Sequence, residues 1–462
     1  MAIAACAGLA EVRADDWPQW AGPRRDGVWR ETGLLTRFPD GGPRILWRVP
    51  IGAGYSGPAV VGQRVYVMDR TTPPGTPPPP EGRIAKDAIP GKERVLCLDA
   101  ASGKTLWAHE YDCPYQISYP SGPRTTPSVV DGKVYTLGAM GDLLCLDAAE
   151  GTVIWSRNFR ADFGLKRAPV WGWSSSPLVH DGRVYSLVGG EGSAVVCFDA
   201  ATGKELWRAL TTEEIGYAPP VLGNIGGQQQ LIVWHTEAVA ALDPVSGKTL
   251  WSLSYPIEGE IQRPEVSIAA PRCVDGDRVF LTNFYHGATL LKIVAGQAKP
   301  ELLWNLTSSN LQKPAKGLHT VMCTPIIDGK HVYGVCGHGE LRCLELDTGK
   351  RLWDTLAAVN DKRGLFAHAF LIPQADRVWI YNDQGDLILA KLSPTGYEEI
   401  GRTHLLDTTL VTRGRAVTWC HPACANRCVY VRNDREMLAV SLSADERESP
   451  ASALRPSGGT IR

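Results

Sequence analysis

Short apolar segments separated by tight turns recur along most of the chain. A typical unit, from Pro127 to Tyr135, holds an apolar pair, an Asp-Gly turn and a second apolar pair. Asp-Gly between alternating apolar residues predicts a tight β-hairpin. A third segment such as Val195 to Phe198 and a fourth such as Glu205 to Trp207 complete the unit. Each unit therefore predicts four short strands.

One motif, Asp-x-x-x-Gly-x-x-x-Trp, closes these units. Four full copies and one with Glu for Asp are present: Asp99 to Trp107, Asp147 to Trp155, Asp199 to Trp207, Asp243 to Trp251 and Glu345 to Trp353. Trp47 and Trp304 mark two more copies, and successive Trp residues are 60, 48, 52, 44, 53 and 49 positions apart. That period suits one propeller blade. The motif Asp is expected to accept hydrogen bonds from the turn, and the Gly to supply a positive φ.

Eight units can be counted, and they start near Ser56, Thr125, Ser175, Ala218, Ala269, Cys323, Ala369 and Cys420. The seventh has Ile400 where Trp is expected, and the eighth ends at Ser443 without a Trp strand. The segment from Arg44 to Val49 has a Trp strand without the three strands before it. The sequence therefore predicts an all-β fold, an eight-bladed β-propeller of four-stranded antiparallel blades. The N-terminal strand should close the ring and hide the sheet edges.

The remaining segments divide the chain. Residues 1–14 indicate the remnant of a signal peptide, cleaved near Ala14, and therefore an exported protein that is periplasmic or otherwise extracytoplasmic. Two alternatives stay open: a lipoprotein box ending at Cys6, whose lipidation would tether the chain to a membrane, and an ordinary cytosolic start. Residues 15–43 form an N-terminal extension, 44–443 the propeller, and 444–462 a polar tail predicted to be disordered.

Composition adds two restrictions. The 15 Trp, 48 Gly and 33 Pro are consistent with many turns, and 44% of the residues are hydrophobic. The formal net charge of −1 gives no general attraction to nucleic acid or to an anionic membrane. We therefore expect no nucleic-acid partner. We also expect the protein to be a monomer.

The cysteines fall into two groups. Four of the twelve occupy one repeated strand position and are expected to be core residues: Cys97, Cys145, Cys197 and Cys343. A second group, Cys420, His421, Cys424 and Cys428, has spacing like that of a metal site. However, Cys424 falls in a core position, and ligands on two strands of one hairpin would point to different faces. We expect no metal there, while a disulfide such as Cys424 to Cys428 stays open.

Over about residues 44 to 443 the units resemble the tryptophan-docking repeats of quinoprotein dehydrogenases. They also resemble those of the BamB-like lipoproteins of the outer-membrane β-barrel assembly machine. The segment Asp16 to Gly27, Asp-Trp-Pro-Gln-Trp-x-Gly-Pro-x-x-Asp-Gly, is similar to the start of a large bacterial family of PQQ-like repeat proteins. The repeat is specific for the fold, and one fold hosts many functions.

The two resemblances imply different functions. The dehydrogenases hold pyrroloquinoline quinone (PQQ) between a Trp and two adjacent disulfide-bonded Cys, with Ca²⁺ on Glu, Asn and often Asp, and a further Asp as base. This chain has no Cys-Cys pair and no Cys-x-x-Cys-His haem site. We therefore expect a non-catalytic exported propeller without a cofactor. It would act as a binding or scaffold module for a protein or glycan in the cell envelope. The alternative is a PQQ- and Ca²⁺-dependent alcohol or sugar dehydrogenase.

A candidate site follows from loop length. The links between units and the insertion from Thr71 to Glu93 are long and share one face, whereas the hairpin turns on the other face are short. The first positions of the inner strands at the long face are Tyr55, Arg124, Trp173, Tyr217, Glu265, His319, His368 and Trp419. Aromatic rings with Arg, Glu and His around one axis suit a flat or anionic ligand or a peptide. The alternative is a water-filled channel with polar walls.

Overall fold

The computed structural model describes residues 15–76, 82–257, 268–308 and 316–445. Within them, eight four-stranded antiparallel sheets form the blades of a β-propeller, as the sequence predicts. The signal peptide or lipoprotein segment, Glu265 and residues 446–462 of the predicted tail lie outside the described residues.

The first strand, β1 (Ile45–Pro50), precedes blade 1. Each of blades 1 to 4 consists of four consecutive strands. Blade 1 is β2 (Ala59–Val61), β3 (Arg64–Thr71), β4 (Lys92–Asp99) and β5 (Thr105–Asp112). Blade 2 is β6 (Ser128–Val130), β7 (Lys133–Leu137), β8 (Asp142–Asp147) and β9 (Val153–Asn158). Blade 3 is β10 (Leu178–His180), β11 (Arg183–Leu187), β12 (Val195–Asp199) and β13 (Glu205–Ala209). Blade 4 is β14 (Val221–Ile225), β15 (Gln228–His235), β16 (Ala238–Leu242) and β17 (Thr249–Ser254).

Blades 5 to 7 follow the same order, and blade 8 has three strands of its own. Blade 5 is β18 (Arg272–Val274), β19 (Arg278–Asn283), β20 (Gly287–Lys292) and β21 (Glu301–Leu306). Blade 6 is β22 (Ile326–Asp328), β23 (His331–Val335), β24 (Leu341–Glu345) and β25 (Arg351–Thr355). Blade 7 is β26 (Ala369–Gln374), β27 (Arg377–Asn382), β28 (Asp386–Ser393) and β29 (Gly396–His404). Blade 8 contains β32 (Ala423–Ala425), β33 (Cys428–Arg432) and β34 (Glu436–Ser441).

Two further elements lie in the links between blades. A helix of one turn, α1 (Phe159–Asp162), follows blade 2, and a hairpin of β30 (Leu410–Thr412) and β31 (Arg415–Val417) follows blade 7. The sequence analysis did not predict this hairpin. In the described part of the chain, no helix has the length and apolar character needed to cross a bilayer.

The N-terminal strand closes the ring, as predicted. β1 pairs antiparallel with β34, so that the order in blade 8 is β32, β33, β34, β1. The indole N–H of Trp47 on β1 donates to the Ala100 carbonyl of blade 1 at 2.8 Å. The same strand therefore completes one blade and joins it to the next.

The motif Trp residues join neighbouring blades in a repeated way. The indoles of Trp107, Trp155, Trp207, Trp304 and Trp353 donate to carbonyls of the following blade at 2.9–3.2 Å. The predicted role of the motif Asp is confirmed in blade 1, where Asp99 accepts from the Ser102 amide at 2.8 Å. Gly103 has a φ of 72°, and a Cβ there would lie 2.8 Å from the Trp47 ring. The Gly thus provides both the turn and the room for the Trp.

Two junctions differ because the motif is missing. Blade 5 lacks the Asp-x-x-x-Gly part of the motif after β20, and the Trp251 indole instead donates to Gln230 of its own blade at 2.8 Å. Blade 7 lacks its Trp, and two aromatic residues of the N-terminal extension pack there. The rings of Trp29 and Phe38 both lie 5.9 Å from the Trp379 ring.

The two faces of the propeller are unequal. We call the face with the links between blades, such as 113–127 and 405–422, the loop face. The opposite face, with short hairpin turns such as 62–63, is the turn face. Both ends of the described chain lie on the turn face and meet at Glu31. Its carboxylate accepts from the Asp15 amide at 3.0 Å and from the Arg427 amide at 2.8 Å, and the Arg427 side chain pairs with Asp445.

Candidate functional site

A cavity of about 80 Å³ lies at the propeller axis, on the side of the loop face. All eight links between blades supply at least one lining residue, and the N-terminal extension supplies another. The lining residues are Trp20, Tyr55, Tyr119, Arg124, Trp171, Ser174, Ser176, Pro219, Ile268, Val321, Met322, Phe366, Trp419 and His421. We call this cavity the axial cup.

The N-terminal extension crosses the turn face below the cup. Trp17 exchanges two main-chain hydrogen bonds with Val60 of blade 1, at 2.8 and 2.9 Å. The Arg25 guanidinium donates to main-chain carbonyls at the start of blades 3 and 4. The Trp29 amide donates to the Pro373 carbonyl of blade 7 at 2.9 Å. We call residues 15–31 the plug, because they span the axis from one side of the ring to the other.

Trp20 of the plug and His421 of the link into blade 8 form the floor of the cup. Their rings meet edge to face with centroids 6.2 Å apart, and the His421 ring lies 4.0 Å from that of Phe370. Both residues also line a second cavity beneath, so the pair separates the two spaces. Burial lowers the pKa of His421 to about 3, which keeps the imidazole neutral at neutral pH.

Aromatic rings form the walls. Trp171 stacks on Tyr217 with ring centroids 4.6 Å apart, and its amide donates to the Tyr217 hydroxyl at 3.0 Å. On the other side, Tyr119 and Tyr55 pack on Trp419 at 5.6 and 6.2 Å. Such paired rings have few alternative rotamers, so the wall is apolar and rigid.

Arg124 is the only charged side chain among the described residues that line the cup. Its guanidinium donates to the carbonyls of Ser118 and Gly122, and to that of Tyr119 at 2.5 Å. It also lies over the Tyr55 ring, 5.2 Å from the centroid. These contacts fold the link from 118 to 124 back on itself and hold the guanidinium beside the cup.

The structure brings three of the predicted site residues to the cup: Tyr55, Arg124 and Trp419. Tyr217 lies one layer behind, under Trp171. Trp173 is fully buried in the core, where its indole donates to the Val188 carbonyl at 3.1 Å.

The remaining predicted site residues lie away from the cavity or outside the described chain. His319 and His368 are buried and are not among the residues lining the cup. Burial lowers the pKa of each to about 4. Glu265 lies outside the described residues.

Several lining residues were not predicted. Trp20 belongs to the Trp17-Pro18-Gln19-Trp20 segment, which was noted only as a family resemblance. Trp171 lies two positions before the predicted Trp173, across Gly172. No pattern in the sequence placed either residue at the axis.

Comparison with known proteins identifies the family. A family profile described as "Outer membrane protein assembly factor BamB" matches residues 91–355, more than half of the chain. The chain belongs to the PQQ-like β-propeller repeat family. It is 27% identical over 212 residues to an uncharacterized protein of Rickettsia prowazekii (strain Madrid E), covering 45% of this chain and 48% of that protein. A similar protein of Rickettsia conorii is 25% identical over 212 residues. The chain thus spans about half the length of the curated relatives it matches.

Solved structures show the fold of this PQQ-like propeller. BamB from Moraxella catarrhalis superposes with a TM-score of 0.56 and 13% identity, covering 86% of this chain and 99% of that one. The quinohemoprotein alcohol dehydrogenase from Comamonas testosteroni gives a TM-score of 0.57 and 13% identity, covering 98% of this chain and 83% of that one. BamB, which the family profile describes as an assembly factor, and an alcohol dehydrogenase thus share this architecture, so only the site can distinguish between the two kinds of function.

The described residues of this PQQ-like propeller do not fit a quinone with Ca²⁺. The cup offers flat rings and Arg124, but no carboxylate among its described lining residues. Nor do the described residues contain a group of three or more His, Cys, Asp or Glu able to hold a metal ion. In the second cysteine group, Cys420, Cys424 and Cys428 are buried, and no disulfide joins any two of them. The thiol of Cys420 contacts the Gly54 carbonyl at 3.2 Å.

Proposed function

We propose that this propeller is a non-catalytic binding module of the cell envelope that holds a partner protein through its loop face. The observation that carries the proposal is the axial cup. It is an aromatic socket on the side of the loop face, has a floor of Trp20 and His421, and has one cation in its wall. Sockets of this kind anchor a side chain of a partner, because aromatic walls bury apolar surface with little loss of rotamer freedom.

The titratable groups of the cup argue against acid–base catalysis. A general base works best with a pKa near the operating pH. His421 has a pKa of about 3, far below that range. No described lining residue carries a carboxylate. The cup is therefore better suited to binding than to proton transfer.

The location in the envelope and the protein class of the partner rest on two supports. The first is the interpretation of residues 1–14 as the remnant of a signal peptide. The second is the family, whose description names an outer-membrane assembly factor. Both favour an extracytoplasmic protein that contacts another polypeptide.

The hairpin β30–β31 offers a contact surface beside the cup. Arg415 anchors it to Asp383 at 2.7 Å and to the Leu365 carbonyl at 3.2 Å. Val411 in the middle of β30 is 58% exposed. An anchored hairpin with an exposed apolar side chain is a suitable docking element for a partner.

Site-directed photo-cross-linking in living cells tests the proposal. A photoreactive amino acid replaces Val411 on the loop face or, as the matched control, Val245 on the turn face, which is 61% exposed. We expect one discrete protein adduct from position 411 and none from position 245. Adduct yield should fall with Phe366→Ala, which removes an aromatic wall of the cup. Adducts from position 245 alone, or from neither position, contradict the proposal.

The enzyme alternative has its own test. The purified protein is titrated with PQQ and Ca²⁺ by calorimetry and then assayed for dye reduction with alcohols and aldose sugars. We expect no turnover. Tight quinone binding together with dye reduction that disappears in Glu265→Gln would restore the dehydrogenase.

A further inference from the structure

We propose that the axial cup binds a carboxylate carried on an apolar group of about the size of a phenyl ring, with Arg124 holding the carboxylate. The inference deepens the proposed function and rests on it only for the biological role, since the chemistry of the cup can be tested in isolation. No comparison assigns a ligand to the cup.

Arg124 has free N–H donors with which it can bind an anion. A guanidinium has five N–H donors, and three hydrogen bonds to main-chain carbonyls occupy three of them. The side chain is only half-buried and lines the cup. Two donors and the full positive charge are thus available, in a guanidinium whose position is already fixed. Fixed charged donors bind carboxylates more strongly than neutral donors do.

The surroundings do not neutralise this charge. Arg25 below the floor and Arg432 behind the wall are also held by main-chain carbonyls, and Arg432 reaches those of Met68 and Gly52 at 2.7 and 2.6 Å. The carboxylate of Asp434 is occupied elsewhere, because it accepts from the Gly54 amide and the Thr409 hydroxyl. Within the described chain, no carboxylate pairs with Arg124, Arg25 or Arg432.

The size and lining of the cup define the apolar part of the ligand. The volume of about 80 Å³ is smaller than the roughly 150 Å³ of an enclosed apolar cavity that binds benzene, so the cup, which is open on one side, admits no more than one small ring. Phe366, Trp171 and Trp419 offer rings for offset or edge-to-face packing. In addition, the Trp419 indole N–H has no hydrogen-bond partner among the described residues. A neutral polar ligand would gain little from such a wall, and a fully apolar one would leave Arg124 unused.

The first test compares three probes on the unmodified full chain by calorimetry. They are 3-phenylpropionate, its neutral analogue 3-phenylpropanamide, and acetate. We expect the acid to bind about tenfold or more tightly than the amide, because only the acid forms a charge-assisted pair with Arg124. Acetate should show no measurable binding. Equal affinity for acid and amide, or no binding of the acid, overturns the proposal.

Variants assign the binding to the cup. Arg124→Gln is expected to lower the affinity for 3-phenylpropionate to that for the amide, and Phe366→Ala to weaken both compounds equally. Arg435→Gln, at an exposed position of the loop face, is the matched control and should bind normally. Arg124 also orders its own link, so Arg124→Gln could misfold. In that case the difference in affinity between acid and amide and the effect of Phe366→Ala test the proposal. Normal acid binding by both folded variants overturns the proposal.

Two sources of the ligand are distinguished by a peptide. An N-acetylated tetrapeptide ending in Phe is tested with a free and with an amidated C-terminus. If the free peptide binds more tightly than 3-phenylpropionate, the ligand is the C-terminus of a polypeptide. If it binds more weakly, the ligand is a small acid.

The two proposals can fail separately. Cross-linking at position 411 with no probe binding would leave the proposed function intact and refute the ligand. Probe binding without cross-linking would support the carboxylate ligand and refute the proposed docking of a partner protein.

Discussion

The recurring cysteine of the third strand shows how one side chain is fixed by its position in the repeat. All four are unpaired and fully buried: Cys97, Cys145, Cys197 and Cys343. Burial raises the pKa of the thiol, to about 11 in Cys145 and Cys343 and to about 12 in Cys197. The thiolate is the reactive form, so these residues should be inert.

We therefore expect iodoacetamide at mildly alkaline pH to leave the four peptides unmodified in the folded protein. Cys273, the described cysteine with the greatest exposure, should react first. Peptide mass spectrometry measures this, with full labelling in denaturant as the control. Rapid labelling of any of the four in native buffer, or a disulfide between two of them, would contradict the core assignment.

A second residue makes stability depend on pH. His368 is 1% exposed, and burial lowers its pKa from 6.5 to about 4. Between these values the unfolded chain binds a proton that the folded chain does not, so the free energy of unfolding falls as the pH falls. A difference of this size corresponds to about 3 kcal/mol, lost between about pH 6.5 and about pH 4.

Replacing His368 by Phe removes this titration, and the ring should pack against Phe370, whose centroid lies 4.8 Å from that of the imidazole. We expect urea unfolding of His368→Phe to show a flatter pH profile than the unmodified protein across that window. His180→Gln, at an exposed position, is the control and should keep the original slope. An unchanged slope in His368→Phe would show that other groups, such as His319, His421 or the carboxylates, cause the acid instability.

At the scale of elements, the repeat could be predicted because its signals are local. An Asp-x-x-x-Gly-x-x-x-Trp segment specifies its own turn and strand, and the missing Trp of the eighth unit indicated the role of β1. The hairpin β30–β31 was missed although Arg413-Gly414 between alternating apolar residues is a turn signal. It lies in a link, where no repeat position called for two strands.

The site was less predictable, since links do not follow strand alternation. Trp173 was predicted at the cup, but Gly172 has a φ of 69° and its amide bonds to the Pro169 carbonyl, which makes a turn there. That turn directs Trp171 to the cavity and Trp173 to the core. Tyr55 and Trp419 were also predicted because links enter strands at their positions, and both of them line the cavity.

The closing strand gives the prediction for elements. Deleting residues 1–50 removes β1, exposes the edge of β34 and removes Trp47, which is 7% exposed. Loss of a buried Trp costs about 3–5 kcal/mol, and an open sheet edge favours association. We expect a lower melting temperature and oligomers by light scattering.

Two variants separate the contributions to this effect. Trp47→Ala keeps the plug and should lose stability without association, while deletion of residues 1–14 is the control. A monomeric 1–50 deletion with an unchanged melting temperature would mean that the terminal strand does not hold the ring.

At the scale of the whole molecule, the plug is the feature that local patterns could not reveal. The bond from the Arg427 amide to Glu31 joins residues 396 positions apart, and the plug touches blades on opposite sides of the axis. Its polar and aromatic residues form no repeat of their own. The extension therefore contributes to the site only through contacts that depend on the assembled ring.

The meeting of the two chain ends at Glu31 can be measured. A dye pair at positions 15 and 445 should give high energy transfer, and a pair at 15 and 411 much lower transfer, because the latter spans the propeller from face to face. The cysteines that carry the dyes are added to a Cys273→Ser protein, because Cys273 is the described native cysteine that is expected to react. Similar transfer in the two pairs would contradict the arrangement.

This geometry gives the molecule an orientation. A short tether at the N-terminal end would pull on the turn face, so the cup would point away from the surface that holds the protein. If Cys6 is lipidated, the nine residues to Asp15 reach about 30 Å at full extension, which keeps the turn face near the bilayer. The propeller would then be held close to the membrane with the axial cup facing the aqueous side, where a partner can reach it.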